Sequence, residues 1–252
     1  MRIAITIVLA LLISSCSQFT SGASNNPSSI KFSKNYLLDN TGPQNTLTWD
    51  KALTASILLT PNYTFDQHIN AYIRVYHHDV WRLYKNSPLL LVQKQKKIGL
   101  NWIASYAQQD SNNLILETSV ILGDYNVDQQ AFPVQVPSFS YAQQPYHYKV
   151  TRSLTSDSSF PTTFYFHINN LSRLKQLALA PDLAALLLVS KTQADGLINR
   201  QLPISILLNI NQVQGSNGQR LAGNMTAVTF YPDASKEVPL RIDIFSAAGA
   251  AR

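Results

Sequence analysis

The chain has 252 residues, with 20 Lys plus Arg against 14 Asp plus Glu, a formal net charge of +6 and a hydrophobic fraction of 45%. That length suits one domain or two small ones, and that apolar content excludes a disordered chain. Charged residues are only 13% and Cys16 is the sole cysteine, which excludes a disulfide framework, a Cys-rich zinc site and a CxxC redox motif, and leaves the positive charge too sparse for a nucleic-acid partner.

Met1-Arg2 opens the chain, and residues 3–13 form the apolar run IAITIVLALLI. The run is shorter than the roughly 20 apolar residues a membrane span needs, and it fits the core of a secretory signal peptide. It ends in Ile13-Ser14-Ser15-Cys16, which resembles the lipobox of bacterial lipoproteins. The resemblance implies cleavage before Cys16 and thioether lipidation and acylation (palmitate class) of that residue. Several acyl chains at about 0.8 kcal/mol per buried CH2 anchor a protein stably. Ser17 follows where an Asp would retain such a protein in the inner membrane, so the resemblance implies the outer membrane, with the domain facing the periplasm. A plain signal peptide or membrane anchor with an incidental cysteine is the alternative.

Residues 17–30, SQFTSGASNNPSSI, are small and polar. They read as a flexible tether with an r.m.s. reach of roughly 20 Å. The chain therefore divides into a leader at 1–15, a lipidated tether at 16–30 and one folded domain at 31–252. Within the domain, Phe65, Ile69, Tyr72, Ile73, Tyr76, Val80 and Leu83 recur at helical spacing. They predict one helix over residues 64–84, with Asn62 or Thr64 as cap and Asp66 in the first turn. Ser87 and Pro88 open a second helix through about Ala107, weakened in the middle by Gly99. The two make a helical hairpin.

Strand character follows at residues 114–122, 131–136, 146–152 and 162–168, rich in aliphatic, aromatic and β-branched side chains. Pro181 starts a short apolar helix, PDLAALLLVS. Strands at 202–213, 220–231 and 239–245 read as a meander, the first pair joined by the turn Gly215-Ser216-Asn217-Gly218. The expected fold class is α+β: an N-terminal helical hairpin packed on one face of an antiparallel sheet, with a C-terminal β-meander.

Several short blocks occur in a fixed order. They are Tyr72 with Tyr76, Asp79-Val80-Trp81, Tyr84-Lys85-Asn86, Gly123-Asp124-Tyr125, Phe132-Pro133, Pro181-Asp182-Leu183-Ala184, Asn199-Arg200 and Phe230-Tyr231-Pro232-Asp233. Across about residues 65–233 they resemble an uncharacterised family of bacterial secreted proteins and lipoproteins of unknown function. The resemblance implies an α+β domain and transfers no functional residue.

Candidate chemistry is thin. His77-His78-Asp79 puts two imidazoles about 100° apart on a helix, so they do not clamp one metal as an i,i+4 pair does, and His68 is too distant to help. His147 and His167 sit on different strands and leave open a metal site assembled by the fold. Ser172 and Lys175 have the SxxK spacing of acylating serine enzymes, yet the SDN and KTG companions are missing, Lys191-Thr192-Gln193 lacking the glycine. A surface Ser and Lys is the plain reading. Asp124 and Asp128 read as solvated loop carboxylates. Lys94, Lys96 and Lys97, with Trp102 downstream, form the densest basic cluster and are candidates for contact with a ligand or an anionic surface. The plain alternative is a solvated helix face. Tyr141, Tyr146 and Tyr148 flank Gln143-Gln144-Pro145, a pattern seen in recognition loops and also in cores.

No catalytic residue, metal ligand or cofactor is assigned. The leading expectation is a non-enzymatic envelope lipoprotein, held to the membrane through Cys16 and serving as a binding or accessory module for another envelope protein. The alternatives are a cell-wall hydrolase with a site assembled from separated residues, and a lipid or polysaccharide binder.

Overall fold

A computed structural model describes residues 45–107, 113–154, 159–215 and 218–245. The expected leader and tether, and Cys16, lie outside the described residues. Within them the fold is α+β, and its sheet is mixed where an antiparallel one was expected.

The first described element is helix α1 (Trp49–Leu59), which no pattern in the sequence marks. Thr48 caps it, its side chain accepting from the Lys51 N–H at 3.2 Å, and Asp50 stands in the first turn. Residues 52–57 are all buried. A helix wrapped on nearly every side shows little polar–apolar period, which is why periodicity does not reveal it. The Trp49 indole N–H donates to the Pro161 carbonyl at 3.0 Å, fixing α1 at the sheet.

The expected helix over residues 64–84 is two helices, α2 (Phe65–Tyr76) and α3 (His78–Tyr84). They join at His77, whose φ of −135° and ψ of 48° end one helix and start the other. The break turns the stripe: Ile69 and Ile73 are buried, but Leu83 is 67% exposed. Arg74 instead lies over the Trp81 ring, 4.2 Å from its centroid, across the joint. Helix α4 (Pro88–Ala107) starts at Pro88 as expected and packs against both.

Ten strands follow. They are β1 (Asn113–Leu122), β2 (Ala131–Gln135), β3 (Phe139–Tyr141), β4 (Gln144–Tyr146), β5 (Tyr148–Thr151), β6 (Thr163–Ile168), β7 (Gln176–Ala178), β8 (Gln201–Gln214), β9 (Arg220–Phe230) and β10 (Arg241–Ile244). Helix α5 (Pro181–Lys191) lies between β7 and β8, with Pro181 at its first turn. The main sheet runs β5-β6-β9-β8-β1-β2-β7. The meander is formed as expected, β8–β9 and β9–β10 both antiparallel.

The correction is β6, which pairs parallel with the first half of β9, Tyr165 opposite Arg220 and His167 opposite Ala222. The second half of that same β9 edge takes β10. A parallel pair needs a long crossover, and here the chain passes through β7, α5 and β8 before returning. The expected strand over residues 146–152 is also divided. It breaks at His147, with β4 pairing β3 in a separate two-stranded hairpin and β5 pairing β6.

Two register shifts in β8–β9, at Leu207/Leu208 and Ile210/Gln212, sharpen the twist. The sheet curls until Arg241 of β10 donates to the Ala178 carbonyl of β7, 3.0 Å away. The concave face holds the core: Leu114 and Leu116, Phe164 and Phe166, Ile204, Ile206 and Leu208, Val228 and Phe230, against Leu53, Ile73, Trp102 and Leu187 from the helices. Each such side chain contributes about 1.5–3 kcal/mol of burial. The convex face carries a small apolar cluster around Ile115 and Ala227, beside the ion pair of Lys236 with Glu117, which also accepts from Ser205.

Candidate functional site

Two open surfaces stand out: an apolar groove between α2 and α4, and a polar cleft on the convex face where β6 meets β9.

The groove has a volume of about 320 Å³. Phe65 and Ile69 of α2 and Gly99 of α4 form its floor; Val92, Leu100 and Ile103 of α4 form its wall, with Asp66 and Lys96 at the margins. Residues 89, 92, 96, 99 and 103 repeat at three- and four-residue steps, so they share one side of α4. The buried side of the same helix carries Leu91, Trp102 and Tyr106. Helix α4 is thus apolar on two faces, and only one is covered. Leu100 is 63% exposed and Val92 58%.

This placement divides the predicted basic cluster. Lys96 lines the groove. Lys94, about 200° around the helix, turns its ammonium to the Tyr84 ring, 5.6 Å from the centroid. Lys97 is exposed. Trp102 is corrected outright as a surface contact: it is 1% exposed and stacks on Tyr72, centroids 4.2 Å apart.

The cleft has a volume of about 250 Å³. The register places Tyr165, His167, Arg220 and Ala222 on one side of the sheet. Gln214, opposite Arg220 on β8, shares that side. The β3–β4 hairpin folds over them and supplies Gln144, Pro145 and Tyr146 to the lining, with Asn169 completing it. Ala142 and Gln143 form the hairpin turn with φ of 49° and 63°. Both positions of such a turn favour Asn or Gly, so the hairpin is held down by its contacts rather than by its turn. Tyr141 stacks on Tyr165 with centroids 3.9 Å apart, and its hydroxyl accepts from Gln219 at 2.8 Å.

The two histidines that the sequence left on separate strands meet here, rings 5.2 Å apart. They form no metal pair through Nδ1, because the backbone occupies both atoms. His167 Nδ1 donates to the Pro145 carbonyl at 2.9 Å, and His147 Nδ1 accepts the Ile168 N–H at 3.2 Å. In the neutral ring, His167 therefore keeps Nε2 as an acceptor. Burial first, and then the neighbouring His167, push the His147 imidazole down to about 4, so it is uncharged at neutral pH. Among the described residues no group of three His, Cys, Asp or Glu is gathered to hold a metal.

The remaining candidates lie outside the linings of both surfaces. His77 forms the α2–α3 joint beside Tyr72. Ser172 lies in a 3-10 turn, Leu171–Arg173, that ends before Lys175, so the helical alignment that SxxK chemistry needs is not made. Asp124 accepts from Arg200 at 2.5 Å. Asp50 accepts from both Tyr76 and Arg152, at 2.5 and 2.6 Å, tying α1, α2 and the end of β5 together. Sequence reasoning missed Arg220, Asn169 and Gln214. The tyrosines around Gln143-Gln144-Pro145 were the signal that marked this neighbourhood.

A curled mixed sheet with helices in its concavity, an apolar groove and a polar cleft define the class: an α+β protein with two open surfaces. Residues 64–189, half of the chain, match the family described as Domain of unknown function (DUF4852). The chain belongs to that family. The match ends before Asn199-Arg200 and Phe230-Tyr231-Pro232-Asp233, so it is shorter than the expected 65–233. No match is found among curated proteins or among solved structures. Among the described residues, no helix is long and apolar enough to cross a membrane.

Proposed function

We propose that this chain is an outer-membrane lipoprotein of the bacterial envelope, anchored through Cys16 on the periplasmic face, that works as a non-enzymatic docking module for another envelope protein. The observation that carries the reading is the uncovered apolar side of α4. A monomer that leaves Val92, Leu100 and Ile103 in water beside a groove carries a surface suited to a partner. The groove's apolar lining, Phe65, Ile69, Val92, Leu100 and Ile103, suits the apolar face of one helix, and Lys96 favours an acidic residue on that helix. Anchoring both proteins at one membrane raises their effective concentration, so a modest interface suffices. The hydrolase alternative calls for a His and an Asp converging in a pocket; the lining of the cleft sets His167 beside Arg220 and amides instead.

The test is photo-crosslinking in intact cells from a reactive residue placed at Leu100. One discrete adduct with a different envelope protein is expected, lost in Gly99→Leu, which fills the groove, and weakened when Cys16→Ala leaves the chain unanchored. An adduct only with lipid, an adduct only with a second copy, or none at all overturns the reading.

A further inference from the structure

The convex-face cleft is independent of the groove and calls for a different ligand. Its lining holds one permanent cation, Arg220, and among the described residues no carboxylate. Among the described residues the ion pairs use Arg152, Arg200, Lys236 and Arg241; none includes Arg220. Arg220 is nonetheless placed. Gly215, at φ 90°, lies against its guanidinium: a Cβ there would stand 3.0 Å from Nε. Around it stand three neutral amides on exposed positions, Gln144, Asn169 and Gln214. Each offers both a donor and an acceptor. His167 adds an acceptor at Nε2, its ring held by Pro145.

We propose that this cleft binds an acidic sugar, with Arg220 taking the carboxylate and the amides and His167 taking the ring hydroxyls. A guanidinium edge matches a carboxylate with two parallel N–H donors. One cation among neutral amides suits a singly charged ligand better than a phosphate dianion. Amides that donate and accept together suit hydroxyls, which do the same. The 250 Å³ volume is just under the roughly 300–1,000 Å³ of drug-sized pockets, which fits a single ring.

The test is calorimetric titration of the detergent-solubilised full chain with glucuronate, glucose and inorganic phosphate. Glucuronate is expected to bind at or below about 1 mM, with glucose at least about tenfold weaker and phosphate weaker than glucuronate. Arg220→Gln lowers glucuronate affinity at least about tenfold, and Asn169→Ala, at an exposed position, weakens it several-fold with an unchanged melting midpoint. Asn169→Ala decides the matter if Arg220→Gln does not fold. Equal binding of glucose, tighter binding of phosphate, no glucuronate binding up to about 10 mM, or full affinity in Asn169→Ala overturns the proposal. The Leu100 crosslink probes a different surface, so either result stands without the other.

Discussion

The groove and the cleft are built in opposite ways. The groove lies between two helices whose contributing residues run from 65 to 103 and are set by helical spacing. Its walls are side chains, which adjust. The cleft draws on residues from 144 to 222, on β4, β6, β8 and β9. Its floor is hydrogen-bonded strand backbone, and its roof is a hairpin with an unfavourable turn. A surface made of side chains tolerates change locally, whereas one made of backbone register transmits change to the fold. The same contrast separates their ligands: apolar burial in the groove, fixed polar directions in the cleft.

Two glycines and one histidine expose this difference. Gly223 of β9 sits opposite Ile210 at the β8–β9 register shift. A Cβ there would press into the Asn209 carbonyl and the Ile210 Cα, both backbone. Neither can move without breaking the ladder below the cleft. Gly223→Ala is therefore expected to cost about 3 kcal/mol or more, read as a shift of the urea midpoint at unchanged slope. A loss below about 1 kcal/mol would mean that this backbone yields as the groove does.

His147 gives the next effect. Its folded pKa of about 4 lies below the ordinary value near 6.5, so between those values the unfolded chain binds more protons than the folded one. Stability is thus complete above about pH 6.5, falls as the pH drops, and stops changing on this account below about 4. After allowance for solvent at this half-buried ring, the loss is about 1 kcal/mol. His147→Asn, which keeps an acceptor for the Ile168 N–H, should flatten that part of the stability profile. An unaltered profile would show that the histidine pair is not what makes the cleft region acid-sensitive.

The smallest effect belongs to Gly99. A Cβ there would meet Ile69 Cδ1 at 3.4 Å, an ordinary contact with a flexible side-chain end. Gly99→Ala also gains helix propensity, so thermal unfolding should show a change between zero and a gain of about 1 kcal/mol. A marked loss would make the groove as rigid as the cleft and remove the contrast.

Legibility followed the range of the interactions. Helix α4, helix α5 and the three strands of the meander rest on local patterns, caps and turns, and residues such as Pro88, Pro181 and Gly215 mark their ends. Helix α1 was not legible, because a segment buried on nearly all sides has no polar face to reveal its period. The joint at His77 was not legible either, since the apolar stripe continues through it and the change of direction shows only in the backbone angles of His77. Trp102 looked like a surface aromatic beside lysines. Its phase on α4, about 140° around the helix from Lys97, put it in the core against Tyr72.

The sequence by itself determined the α+β composition, most element boundaries and the apolar stripes, because each depends on neighbours within a few residues. Only the tertiary structure decided that β6 runs parallel to β9, that His147 meets His167, and that Arg220 stands above a cleft without an ionic partner among the described residues. Those facts depend on which strands pair and in what register. Register is set by the summed burial of residues far apart in the chain, which no local pattern contains.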